Sequence, residues 1–408
     1  MLPKVKQSEL FSSWAGTCRF LYNACLEHRI LSWNQYRKSV NYFDQANELK
    51  NIKKMEGFEW IKESPAQVLQ QSLKDLDRAF KSFWSLNFGF PKFKKKGEND
   101  SFRFPSASHF SVRQVTRRKA FVKLPKVGEV AFRLTQPIQG KIKNATIKRE
   151  SHGWSISFCC EKEIEIPNNN RPALGIDRGI SETLALSTDD KKVKTINLTL
   201  PLKCKELREK IKNFQKRLRL KKKFSLNWRK LQAKIRKLHS KIVKIRHDFL
   251  HKASSYVAHN HGHVVLEDLK IKKMSKSAKG SLDSPGKYVK QKSGLNREIL
   301  FQGWGIFANQ LNYKLRWNGG YLTTVNPRFT STRCSKCLYN DKLNRKGKNF
   351  VCLNCGYMED ADKNAAKNIE MKGKNNKIVD RNRAGRAQRD CGGFALKQTC
   401  EAVTSTVH

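Results

Sequence analysis

The chain has 408 residues, enough for two to four domains at ~100–200 residues each. Its 83 Lys and Arg stand against 35 Asp and Glu, a net charge of +48, while 38% hydrophobic and 10% aromatic residues exclude wholesale disorder. So cationic a surface repels itself and implies a polyanionic partner, nucleic acid first. No apolar run approaches the ~18 residues of a membrane span, and no basic amphipathic anchor or lipidation signal is present. Lys4, Lys6 and Glu9 interrupt any secretory signal, so the expected compartment is the cytoplasm. Eleven cysteines, an odd number, do not fit a complete disulfide framework. Cys18, Cys25, Cys159, Cys160, Cys204, Cys391 and Cys400 are scattered and read as small buried hydrophobes.

From Ser8 to about Phe90 the pattern is helical. Leu10, Phe11, Trp14, Cys18, Leu21 and Cys25 recur at three- and four-residue steps, as do Val68, Leu69, Leu73, Leu76, Ala79, Phe80 and Phe83. Gly89 and Pro91 break the pattern, and a basic run, Lys92 to Lys96, follows. Alternating stretches at Ala120, Glu129, Ala145 and Trp154 predict strands of a small sheet or barrel up to about Ile166, closed by a turn-rich linker from Pro167 to Pro172.

Ala173 to Asp177 predicts a strand entering a tight turn, with Thr183 to Ser187 returning beside it. Leu207, Ile211, Phe214 and Leu218, then Trp228, Leu231, Ile235, Leu238, Ile242, Ile245 and Phe249, predict two long helices. The break at Lys221 to Asn227 makes them an antiparallel hairpin. Between Lys203 and Arg246 there are 19 Lys or Arg against Glu206 and Glu209. One-sign charge beside an apolar seam reads as a phosphate-facing surface, where an ordinary solvated helix would mix signs. His263 to Glu267 predicts a short buried strand ending in a carboxylate. Lys270 to Lys292 is expected to be a mobile polar loop, Gly319 to Val325 another strand, and the stretch from Lys372 onward is weakly patterned.

Cys334-Ser-Lys-Cys337 and Cys352-Leu-Asn-Cys355 are separated by fourteen residues. Two such turns supply four thiolates for one tetrahedral Zn²⁺. A closed four-sulfur shell leaves no open position, so the metal is expected to be structural. Asp177 and Glu267 end strands, and Asp360 and Asp362 precede a helix start. Each alone is an ordinary turn, ion-pair or capping residue. Three carboxylates converging from separate elements would instead hold two Mg²⁺ ions for phosphodiester hydrolysis.

Gly175-Ile-Asp-Arg-Gly-Ile, Val264-Val-Leu-Glu-Asp-Leu, Thr330-Ser-Thr-Arg-Cys-Ser-Lys-Cys, Cys352-x-x-Cys-Gly and Asp362-Lys-Asn-Ala-Ala-Lys-Asn-Ile occur in that order. With Cys18-Arg-Phe-Leu-Tyr-Asn-Ala-Cys-Leu and Phe90-Pro-Lys-Phe-Lys-Lys-Lys, the sequence resembles the TnpB (OrfB) proteins of bacterial insertion sequences, relatives of the type V CRISPR effectors. The resemblance spans nearly the whole chain. It implies an α/β fold: an RNase H-like (RuvC) nuclease core with a helical insertion and a zinc ribbon, preceded by a helical subdomain and a small β-barrel-like domain. The expected boundaries are 1–95 for the helical recognition subdomain, 96–170 for the β-rich domain and 171–330 for the nuclease core with its basic hairpin at 203–250. The zinc ribbon follows at 331–357, a final nuclease segment at 358–375 and a basic tail at 376–408.

The resemblance further implies an RNA-guided DNA endonuclease, historically labelled a transposase, with guide RNA from the transposon end and target DNA as partners. Asp177, Glu267 and Asp362 would be its Mg²⁺-binding catalytic triad, Asp362 rather than Asp360 because the family carboxylate lies two residues before Asn-Ala-Ala. Cys334, Cys337, Cys352 and Cys355 would hold Zn²⁺. Phe90, Phe93 and Tyr339 are candidate base-stacking residues, although core packing is the commoner role of any one aromatic. The chain departs from the family in starting at Met1-Leu-Pro without a short strand before the first helix, and in carrying Leu338 where the first knuckle usually has Gly. The alternatives are a non-catalytic nucleic-acid-binding regulator, or a transposase that joins strands itself.

Overall fold

The computed structural model describes residues 1–85, 88–180, 182–187, 199–387 and 398–404, those from 376 on by backbone alone. Two compact units emerge, Met1–Glu163 with the C-terminal strand, and Ile164–Phe394.

The first unit opens with helix α1 (Val5–Tyr36). Ahead of it, Leu2 forms an isolated antiparallel bridge to Ala131. Helices α2 (Tyr42–Ile52) and α3 (Ala66–Ser85) follow. Asn41 starts α2 because its Oδ1 accepts from the backbone N–H groups of Phe43 and Asp44. Strands β1 (Ser101–Phe104), β2 (Ser111–Gln114), β3 (Lys119–Leu124), β4 (Gly128–Arg133), β5 (Lys141–Glu150) and β6 (Gly153–Lys162) come next. They form two antiparallel sheets, β2-β3-β4 and β1-β5-β6, where a small sheet or barrel was expected. The second is extended by the chain's last described strand, Gln398–Thr404, alongside β6.

Of two buried clusters in this unit, one lies within the helices, among them Leu21, Leu26, Leu69, Leu73 and Leu76, and the other crosses the boundary expected at 95/96. Phe11 and Trp14 of α1 pack with Phe102, Phe104 and Trp154 of the sheet in one buried cluster. Each such aromatic contributes roughly 1.5–3 kcal/mol by leaving water, so helix and sheet stabilise each other. Cys18, Cys25 and Cys160 are buried and Cys159 is half-buried. Burial pushes the Cys18 thiol up to about 12, so it behaves as an inert hydrophobe. Cys391, and the side chain of Cys400, lie outside the described residues.

The second unit is built on strands β7 (Ala173–Asp177), β8 (Ala185–Leu186), β9 (His263–Glu267) and β10 (Tyr321–Val325). Their order is β10-β9-β7-β8, with β7, β9 and β10 parallel and β8 antiparallel. Between β8 and β9 run α4 (Leu202–Arg219) and α5 (Leu226–Asn260). Cys204, Leu207, Ile211, Ile235 and Ile242 form their apolar seam, which leaves most of the basic residues outside.

The segment expected to be a loop is partly helical. It contains α6 (Ile271–Met274), an isolated Gly280–Pro285 bridge and the start of α7 (Val289–Gln302). Residues 293–318 carry no expected element, yet α8 (Trp304–Trp317) fills the second half of that stretch. Arg208 of α4 pairs with Glu298 of α7 at 2.5 and 2.8 Å and stacks on Phe301, closing the seam.

Strands β11 (Arg345–Lys346), β12 (Asn349–Val351) and β13 (Met358–Asp360) make one small antiparallel sheet. The ribbon therefore runs to Asp360, not 357. Helix α9 (Ala361–Ala387) continues without a break past the boundary expected at 375, and β14 is the strand Gln398–Thr404 already placed beside β6. Among the described residues no helix is long and apolar enough to cross a membrane.

Candidate functional site

Strand β9 is buried along its whole length, which is why its middle, Val264 to Leu266, is an apolar run. Leu174, Ile176, Val264 and Leu266 point to the face covered by α5 and α8. Alternation sends Gly175 and Val265 to the opposite face, under α9, and Asp177 and Glu267 with them. The parallel register pairs Ile176 with Leu266, so these two acids follow side by side at the carboxyl ends of adjacent strands. Open α/β sheets place their ligands at such ends.

Helix α9 supplies the third acid. A Cβ on Gly175 would lie 2.1 Å from the Ala366 carbonyl, and one on Gly373 would lie 2.3 Å from a Val265 methyl. The helix thus lies directly on the strands, and its first turn reaches the carboxylate ends. Asp360 caps α9: its Oδ1 accepts from the N–H groups of Asp362, at 2.9 Å, and Lys363, at 3.1 Å. Asp362, two residues on, is the acid whose charge reaches Asp177.

Asp177 is pushed up to about 7, first by burial and then by the charges of Glu267 and Asp362. Burial also raises Glu267, while Thr330, Arg178 and Lys372 pull it back. Thr330 Oγ1 donates to Glu267 Oε1 at 2.5 Å, and Arg178 Nη2 donates to the Glu267 carbonyl at 2.5 Å. Arg345, on the ribbon strand β11, pairs with Asp362 Oδ1 at 2.8 Å. Neither Arg178, Thr330 nor Arg345 was singled out in the sequence. Two of them sit inside quoted motifs, but Arg345 has no sequence signal, because only folding brings the ribbon to α9.

The cysteine centre is tighter. Cys334 and Cys355 sulfurs are 3.8 Å apart, Cys337 and Cys352 3.5 Å, and all four lie within 4.8 Å of one another. A tetrahedron with Zn–S near ~2.3 Å has edges of ~3.8 Å, so the sulfurs fit that ion. The N–H of Tyr339 holds Cys337 down to about 6, whereas burial raises Cys334 and the neighbouring sulfurs push Cys355 up to about 12, so a metal binding there would release protons. Among the described residues, the sulfurs are the group of Cys, His, Asp or Glu donors that gathers so closely. The three carboxylates interact electrostatically without closing to that span.

Asn364 and Asn368 of α9 lock the first knuckle in place. Asn364 Oδ1 accepts from Ser335 N–H at 2.9 Å and its Nδ2 donates to the Arg333 carbonyl, while Asn368 donates to Thr330 and Arg333. Both are fully buried, so the ribbon and the acid-bearing helix form one hydrogen-bonded piece. Leu338 takes a left-handed φ of 66°, matching Gly356 at 67° on the second knuckle. Of the candidate stacking residues, Phe90, Phe93 and Tyr339 are all exposed.

The fold and its two centres define a mixed α/β protein with a carboxylate cluster at its strand ends and a four-cysteine ribbon fastened beside it. Three family models match in sequence: "Helix-turn-helix domain" over 1–38, "Probable transposase" over 157–278 and "Cas12f1-like, TNB domain" over 304–369. The first of these regions folds here as the single helix α1. The chain is 39% identical over 358 residues to "Putative RNA-guided DNA endonuclease InsQ" of Escherichia coli (strain K12), covering 87% of this chain and 86% of that protein. It is 28% identical over 373 residues to "Putative RNA-guided DNA endonuclease" of Streptomyces pristinaespiralis, covering 90% and 86%. In fold it is similar to the protein of the "Cas12f1-sgRNA-target DNA complex", with a TM-score of 0.54 at 16% identity over 90% of this chain and 83% of that one. The chain belongs to the TnpB (OrfB) family of insertion-sequence proteins.

Proposed function

We propose that this chain is a transposon-encoded, RNA-guided DNA endonuclease that hydrolyses DNA phosphodiesters at Asp177, Glu267 and Asp362. One observation carries the reading. In a chain of net charge +48, three acids from separate elements are close enough that two of them raise the pKa of the third. Their hard oxygen donors suit Mg²⁺. When bound, two such ions would supply an activated water and stabilise the leaving 3′ oxygen.

The chain's own residues prepare that chemistry. Thr330 fixes the Glu267 carboxylate, Arg178 anchors the end of β9, and Arg345 balances Asp362. The ribbon, held by Zn²⁺ on four cysteines, is structural and keeps Arg345 in place. The expected RuvC-like division fits a parallel sheet whose acids lie on adjacent strand ends and on the final helix. Sequence choice would be delegated to base pairing with a guide RNA from the transposon end, the basic α4–α5 hairpin gripping phosphates.

The test is cleavage of a target plasmid by the protein with its co-purifying RNA and Mg²⁺. Simple breaks that vanish in Asp177→Ala, with RNA binding retained, support the reading. Joined products would point instead to strand transfer, and undiminished cutting would remove Asp177 from the site.

A further inference from the structure

In the first unit, the end of α1, the turn after it, the end of α3 and Phe90 enclose a cavity of about 350 Å³. Its walls are aromatic: Trp33, Phe80, Phe83, Trp84 and Phe90. The inner rings support one another. Phe90 meets Phe80 and Phe83 edge-on at 5.6 and 5.4 Å, and Trp84 lies 5.4 Å from Phe80. Arg29 backs the wall with its guanidinium 5.1 Å from the Phe80 centroid, already engaged by Gln45 and Asp77. It is therefore a wall and not a free anion hook.

The outer rings remain open to solvent, Trp33 at 52%, Trp84 at 65% and Phe90 at 46%. Three large aromatics left exposed around one cavity mark a binding site more than a core. The interior lies at the carboxyl ends of two helices, where backbone carbonyls carry partial negative charge. Such an interior disfavours a phosphate and presents flat apolar faces to a planar ring. That is the chemistry of a nucleobase.

Cations surround the mouth and lead away from it. Lys38 lines the cavity. From Phe90 the chain runs back along α1 through Lys92, Lys94, Lys95 and Lys96. Lys94 is pinned there by two hydrogen bonds with Asn23, at 2.8 and 2.9 Å. Ten residues of α1 separate Asn23 from Trp33, so the basic track extends ~15 Å from the pocket.

We propose that this cavity takes an unpaired nucleobase of the bound RNA strand, stacked against Trp33, Trp84 and Phe90, with the adjoining phosphates along Lys92, Lys95 and Lys96. The choice of RNA rests on the guide-RNA reading above. The guide is the strand held before any DNA is opened, and duplex DNA offers no unpaired base. Stacking on aromatic faces beside a cationic track is how single strands are gripped without a groove to read.

The test is binding of the full chain to short labelled single-stranded RNA homopolymers, an abasic counterpart and DNA of equal length, across a range of salt. Trp84→Ala and Phe90→Ala each weaken RNA binding about tenfold, with the salt slope unchanged because no phosphate contact is lost. The abasic strand binds both variants as it binds the native protein, and Trp84→Phe restores most of the affinity for RNA. Lys92→Ala with Lys95→Ala flattens the salt slope instead. An equal loss on the abasic strand, no loss on any strand, or a tighter and equally ring-dependent grip on DNA overturns the proposal. The readout needs no cleavage. A protein that passes it yet cuts nothing sinks only the nuclease reading; one that cuts DNA but ignores Trp84 sinks only the pocket.

Discussion

The guanidinium of Arg345 sits 2.8 Å from Oδ1 of Asp362, joining the four-cysteine ribbon to the helix that carries the third acid of the cluster. Both side chains are largely shielded from water, so the pair counterbalances three acids that would otherwise repel one another at neutral pH. It also makes a ribbon with no open metal position relevant to the chemistry beside it.

Arg345→Ala should expose that balance. A half-buried ion pair of this kind contributes roughly 1 kcal/mol, so the variant should melt a few degrees below the native protein in Mg²⁺-free buffer. Adding Mg²⁺ should raise its melting temperature by more than it raises that of the native protein, because the ion then supplies the missing positive charge. Equal gains in differential scanning calorimetry would detach Arg345 from the carboxylates.

The contact of α9 with β7 leaves no room for a side chain at residue 175. Gly175→Ala should destabilise the second unit by about 2–3 kcal/mol through overpacking, read as a lower denaturant midpoint. Since relief requires α9 to lift from the sheet, plasmid cleavage should fall more steeply than stability does. A variant as stable and active as the native protein would mean that the helix backbone does not lie on the strand.

A pH dependence follows from Asp177. Its folded-state pKa, about 7, is above the ~3.9 of an unfolded aspartate. Its contribution to stability is therefore full below about 4 and is lost as the pH rises through about 7. In Mg²⁺-free buffer, the stability difference between Asp177→Asn and the native protein should shift in favour of the variant across that window. The Mg²⁺ concentration that half-saturates cleavage should fall between pH 6 and pH 8, as the carboxylate ionises more readily. A flat Mg²⁺ requirement over that range would contradict the burial of Asp177.

Leu338 holds a left-handed backbone with half its side chain in solvent. Leu338→Gly should stabilise the zinc-loaded ribbon by about 0.5–1 kcal/mol, since glycine meets no Cβ clash there and little buried surface is lost. Slower zinc release to a chromophoric chelator would report it. Faster release would show that Leu338 stabilises the knuckle by packing.

Local chemistry wrote a large part of this protein openly. The spacing of Phe11, Trp14 and Cys18 marks α1, and the apolar run at Val264–Leu266 marks a strand covered on both faces. The cysteine spacing defines the ribbon, because two short turns need nothing distant to present four sulfurs. Helices α7 and α8 were missed, as their apolar positions are mixed with polar ones that become buried only on folding, such as Gln302 and Gln310. The continuation of α9 past 375 was also missed, because its basic sequence has no apolar period.

The choice between Asp360 and Asp362 shows the limit most plainly. As sequence, both are acids before a helix, and only a family resemblance separated them. In three dimensions one carboxylate is consumed by the free N–H groups of α9, while the other pairs with Arg345 and its charge reaches Asp177. Composition alone determined that the partner is a polyanion, since net charge is a sum and needs no coordinates. Which acids share a field, and which arginine answers them, depended on residues nearly two hundred positions apart meeting at the ends of parallel strands. Electrostatic coupling falls with distance in space and is indifferent to distance along the chain.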